Sequence, residues 1–158
     1  MFSDILITLG LVFLNGFFVA AEFAIVKVRA SQLKVKADEG SKPAQVSPHI
    51  VSHLDGYLAA TQLGITLASL GLGWVGEPVV SKIILNIFDL TGLTISPDLA
   101  HNIALPVSFA IITVLHIVFG ELAPKSLANQ NPESTTLAIA YPLNLFYFVF
   151  RPFIYVLN

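Results

Sequence analysis

Two carboxylates stand where water is scarce. Glu121 closes an uncharged run at residues 99–120, inside the string Ile117-Val118-Phe119-Gly120-Glu121-Leu122-Ala123-Pro124-Lys125. Glu22 lies within another apolar run, residues 5–26, with no basic residue within four positions of it. A charged side chain at the centre of a bilayer costs about 2.5–3.5 kcal/mol even on insertion scales, so an acid in such a place is first read as functional.

Pro124 adds an oxygen to this chemistry. Proline has no N–H, so if helical geometry runs past it the carbonyl four residues earlier, that of Gly120, loses its usual donor. Backbone freed at membrane depth is tolerated where protein buries it or where it lines a watery cavity, and a cation is a good partner for such an oxygen. With Cys 0 there is no thiolate and no cysteine nucleophile. Carboxylate, carbonyl and hydroxyl oxygens form a hard ligand set that suits Mg²⁺, Ca²⁺ or Na⁺ rather than copper or zinc. Simpler roles compete. Glu22 can pair with Arg29 or Lys125 or reach the inner interface, Glu121 can pair with Lys125, and His116 reads as a packed core histidine rather than a ligand. No His-Glu-x-x-His spacing and no nucleophile beside a base suggest an enzyme.

The elements that must position these groups are membrane helices. The chain is 55% hydrophobic and 11% charged, less than half the charged share of about 25% usual for soluble domains, and its mean hydropathy is +0.79. Residues 5–26, 56–76 and 99–120 each reach the ~20 residues that a spanning helix needs. The first run has no basic segment before it, so it reads as a retained helix rather than a secretory signal. Net charge is -2, and the basic residues are not massed for nucleic acid. Lys27, Arg29, Lys34, Lys36 and Lys42 fall between the first and second runs, which makes that connection cytoplasmic and puts the N-terminus outside.

Residues 135–157 combine Pro142, Asn144, Arg151 and Pro152 with seven aromatics. A fourth span and a broken helix lying at the inner face both fit, and the interfacial preference of aromatics together with the prolines favours the second. The connection 28–55 has the composition of a loop flanking a short polar helix, and 78–90 reads as a continuation of the second helix or a re-entrant piece.

Helical spacing stacks Gln62, Thr66, Ser69 and Gly73 on one face of the second helix. Asn15, Val19 and Glu22, with Gly16 beside them, align on the first, and Thr113, His116 and Gly120 on the third. Small and polar residues also serve plain helix packing in membranes. The directions of the helices bring Glu22, Glu121, Gln62 and Thr66 to similar depth, so the three faces are expected to meet around one polar pocket.

Asn15-Gly16-Phe17-Phe18-Val19-Ala20-Ala21-Glu22-Phe23-Ala24, Thr61-Gln62-Leu63-Gly64-Ile65-Thr66 and Phe119-Gly120-Glu121-Leu122-Ala123-Pro124-Lys125 resemble the membrane domain of the CNNM/CorC (cyclin M-like) transporters, and more narrowly the bacterial branch often labelled hemolysin-related. The resemblance implies an all-α membrane domain with three transmembrane helices (about 4–27, 56–76 and 99–122) and a Pro-broken juxtamembrane belt at 135–157. It implies a homodimer that exports Mg²⁺ across the cell (inner) membrane, with Na⁺ coupling proposed for some members. It also implies a cytosolic CBS-domain pair and a small C-terminal domain, both absent from residues 1–158. The family's ion site uses side chains of the first two helices and a glycine carbonyl that maps to Gly120. Val19 and Ile65 depart from the ligating residues of many relatives, leaving Glu22 and Ser69 as substitutes. The expected metal set is therefore Glu22, Thr66, Ser69, Gly120 and Glu121, with Pro124 as the helix break. A non-transporting anchor or cation sensor for a missing cytosolic region is the alternative.

Overall fold

The computed structural model describes residues 1–157, and every regular element among them is helical. The elements are α1 (Phe2–Lys27), α2 (Ala30–Asp38), α3 (Lys42–Ser52), α4 (Leu54–Thr91), α5 (Pro97–Leu115), a π-helical turn (His116–Leu122), α6 (Ala123–Gln130), α7 (Pro132–Val149) and α8 (Arg151–Leu157). Three helical stretches are long and apolar enough to cross a membrane: Phe2–Lys27, Leu54–Thr91 and the continuous Pro97–Gln130. This is an all-α, multi-pass membrane protein.

Local chemistry sets the ends. Gly92 takes a left-handed conformation (φ 68°) that closes α4, the position that favours glycine because it lacks a Cβ. The Ser96 side chain accepts from the Leu99 N–H at 3.3 Å, and Pro97 follows at the first turn of α5, where a missing N–H costs nothing.

The spans pack through small residues. Ala20, Ala21 and Ala24 on α1 are buried, and a Cβ on Gly64 of α4 would stand 2.5 Å from the Phe18 ring, so the α1–α4 approach requires glycine there. Without a hydrophobic force between helices in lipid, such close packing supplies the association energy. One core gathers Phe18, Ile25, Ile50, Tyr57, Ala140 and Leu143 from α1, α3, α4 and α7, and a second joins Val12, Leu72 and Ile112 from α1, α4 and α5. Large apolar side chains such as Phe13, Trp74 and Phe109 point outward, the arrangement lipid selects.

Several elements differ from the sequence expectation. The second span does not stop at residue 76. It continues through Pro78 for 38 residues, so 78–90 is a continuation and not a re-entrant piece. The connection after α1 forms two short helices rather than a loop around one. The third span does not break at Pro124: the chain passes through the π turn and remains helical to Gln130. At the C-terminal end Pro142 sits inside α7, and the break falls at Phe150, where α7 and α8 meet at 77°. Pro152, which cannot donate to the carbonyl of Phe148, helps set that break.

Candidate cation site

The centre of the helical packing is polar. Asn15 of α1 is fully buried, and its Nδ2 donates to the Gly120 carbonyl at 2.9 Å. The Ser69 hydroxyl of α4 donates to Asn15 Oδ1 at 3.0 Å. His116 Nε2 stands 3.3 Å from Ser69 Oγ, and with the proton on Nε2 it donates to that oxygen. Four residues from α1, α4 and the π turn thus form one directed chain, His116 to Ser69 to Asn15 to Gly120.

The π turn explains why the last acceptor is available. Pro124 withholds the N–H that an α-helix would offer the Gly120 carbonyl, and the Ala123 N–H reaches back five residues to the Val118 carbonyl, the π spacing. Gly120 is buried and has to be small: a Cβ there would lie 2.8 Å from His116 Cδ2 and 2.9 Å from Asn15 Nδ2. A Cβ on Gly16, one residue from Asn15, would meet Pro124 Cγ at 2.9 Å and the Phe119 carbonyl oxygen at 3.0 Å. The glycines let α1 lie against the widened turn. Lys27 Nζ donates to the Asn129 carbonyl at 2.8 Å and holds the far end of α1 to α6.

Of the metal set expected from sequence, the structure brings together Ser69 and Gly120. Asn15 and His116 join them. Thr66 is exposed, donates to the Gln62 carbonyl at 2.9 Å, and borders a separate cavity with Ala59, Leu63 and Leu157. Glu121 is exposed beside the buried Gly120. Glu22 is half-buried and lies seven residues from Asn15, about 10 Å along the axis. Neither acid forms an ion pair: among the described residues the pairs within 4.0 Å are the N-terminus with Asp4 and Lys36 with Glu39. Lys125, the cation that the competing reading offers to either acid, lies over the Phe23 ring at 4.8 Å. No group of three His, Asp or Glu side chains gathers to hold a metal among the described residues. Val19 is buried in the packing and Ile65 lies against the larger core. An amide in an otherwise apolar run, on the helix face shared with Val19 and Glu22, was the sequence signal for Asn15.

A second polar group was not anticipated. Ser108 of α5 is fully buried, and its hydroxyl lies 2.9 Å from the Leu105 carbonyl and 3.3 Å from Glu77 Oε1 on α4.

The family profile described as Cyclin M transmembrane N-terminal domain matches residues 6–158. The chain is 48% identical over 157 residues to UPF0053 protein YhdT of Bacillus subtilis (strain 168), covering 98% of this chain and 33% of that one. It is 45% identical over 148 residues to UPF0053 protein YugS of the same organism, covering 94% and 34%. UPF0053 protein YrkA, also of B. subtilis, is 46% identical over 148 residues, covering 94% and 34%. The chain spans about a third of the length of these relatives.

Proposed function

The chain belongs to the cyclin M transmembrane-domain family, and from that premise we propose that it moves a divalent cation, Mg²⁺ first among them, through the centre where α1, α4 and the π turn meet. The observation that carries this reading is the Gly120 carbonyl, freed by Pro124 and answered by the Asn15 side-chain amide at 2.9 Å. The amide N–H occupies the place of a positive charge. Turning the Asn15 amide over directs Oδ1 at that place beside the Gly120 carbonyl, two hard oxygens for one cation, and swings Nδ2 round to donate to Ser69 Oγ. Mg²⁺ prefers oxygen ligands, sheds water reluctantly and keeps several waters, so two protein oxygens and retained water suit it. Ser69 then donates to His116 Nε2, in the tautomer with its proton on Nδ1, so the hydrogen-bonded chain reverses direction. Na⁺ is the other hard cation such a set accepts.

Glu22 and Glu121 serve in this reading as approach charges rather than ligands. They raise the local concentration of cations along the axis of α1 and beside the π turn. The positive-inside bias of Lys27, Arg29, Lys34, Lys36 and Lys42 places the connection after α1 in the cytoplasm of a cell (inner) membrane protein, with the N-terminus outside. The bent α7–α8 pair forms the inner-face belt. Export in a homodimer, regulated by cytosolic CBS domains in the remaining length, completes the proposal; the chain itself is a transporter domain and not an enzyme.

The test is Mg²⁺ flux through the full-length protein in proteoliposomes, read with an internal Mg²⁺ indicator. N15L and S69A are expected to abolish it, and E22Q with E121Q to slow it. Native flux in both N15L and S69A would overturn the central site. A wild-type protein with no flux and no Mg²⁺ binding would favour the alternative, a membrane anchor for a cytosolic region.

A further inference from the structure

Between α4 and α5 lies a cavity of about 360 Å³, bordered by Ser69, Gly73, Glu77, Phe109, Thr113 and His116. Its polar residues are not spread at random. Ser69 and His116 belong to the central hydrogen-bonded chain, and Glu77 stands two helical turns along α4 from Ser69, on the same face. The cavity therefore connects the centre to Glu77. At about 30 Å³ per water in the liquid, it has room for a cation with its first shell.

Glu77 is held but not satisfied. An ionised carboxylate offers about four lone-pair sites, and Glu77 has one hydrogen bond, at 3.3 Å, from a Ser108 hydroxyl that is shared with the Leu105 carbonyl. It has no cationic side chain within 4.0 Å among the described residues. A half-buried acid in this state is costly in a membrane unless it meets a positive charge. Buried Ser108 fixes the carboxylate against α5, so the acid is positioned rather than mobile.

We propose that this cavity is a second cation site, an outer vestibule in which Glu77 holds a hydrated divalent cation between the central site and the non-cytoplasmic face. The inference rests on the transport reading above. Thr113 supplies a hydroxyl for the water shell, and the ion passes to or from the centre by way of Ser69. The polar segment beyond Glu77, with Lys82, Asn86 and Asp89, opens the vestibule to water.

Mn²⁺ titrated into the full-length protein in detergent and followed by electron paramagnetic resonance counts the bound ions. Two classes of site are expected in the native protein, with E77Q weakening one by about tenfold or more and N15L removing the other. Unchanged binding in E77Q, with a site lost in N15L, would overturn the vestibule and leave the central site standing. A site lost in E77Q, with N15L binding as the native protein does, would overturn the central site and leave the vestibule standing. Should E77Q not fold, a T113C reporter with Glu77 intact serves instead, in full-length protein with any cysteine beyond residues 1–158 replaced; residues 1–158 contain none. Mn²⁺ is expected to slow its labelling by a membrane-impermeant methanethiosulfonate added outside; an unchanged rate would overturn the proposal.

Discussion

Asn15 and Gly120, 105 residues apart in the chain, are joined by a 2.9 Å hydrogen bond from a side-chain amide to a backbone carbonyl. This bond ties the first span to the turn where the third changes helical register. N15L removes the donor and leaves a buried carbonyl without a partner, a loss of about 1–3 kcal/mol. The melting temperature in detergent should fall. N15D should also melt early without metal and recover with millimolar Mg²⁺, since a carboxylate beside the carbonyl needs a cation between them.

Glycine at 120 is required by space rather than by backbone conformation. G120A forces a Cβ into contacts of 2.8 and 2.9 Å with His116 and Asn15, and overpacking of this kind costs about 1–3 kcal/mol. Gly10 of α1 is the comparison, since a methyl group added there meets nothing within 4 Å. G10A should hold or raise stability by up to about 1 kcal/mol, because alanine loses less backbone entropy in a helix. Thermal unfolding of the two variants side by side checks the contrast.

Tyr57 ties α4 to the belt. Its hydroxyl donates to Asn144 Oδ1 at 2.6 Å while its ring stacks on Tyr147 at 4.2 Å. Y57F keeps the stack and loses the bond, which should cost about 1 kcal/mol and lower the melting temperature modestly. Y57A loses both and should loosen the belt enough for proteolysis after α7 to quicken.

Metal should stabilise the folded protein by mass action. At a Mg²⁺ concentration about one hundred times its Kd the gain is about 2.7 kcal/mol. A clear rise in melting temperature is expected for the native chain and smaller ones for S69A and N15L, which keep the vestibule. Equal shifts in all three would place the metal elsewhere.

The three long helices and the break in the C-terminal aromatic segment were legible because long apolar runs and prolines announce themselves. The Gly120 carbonyl was legible too, since proline chemistry is local. Its answer was not: whether the chain breaks after Pro124 or absorbs it in a π turn depends on α1 packing through Gly16, a tertiary matter. Pro78 left two courses open for the same reason, and the structure takes the continuous one, with the proline inside α4. Glu22 and Glu121 drew attention as charges in apolar runs, whereas the polar chain was built from Asn15 and His116, whose neutral side chains stand out less. Glu77 follows directly on the apolar run 56–76. It lies inside α4 because that helix does not end there.

The 38 residues of α4 also act as a ruler. At 1.5 Å per residue the helix is about 57 Å long, against a hydrocarbon layer of about 30 Å. Even a tilt of about 40°, the top of the usual range, accounts for only some 26 residues. Roughly a dozen must lie outside the hydrocarbon, in the headgroup layer or past it, so this mostly embedded chain carries one stiff rod from the apolar interior to the polar edge of the membrane.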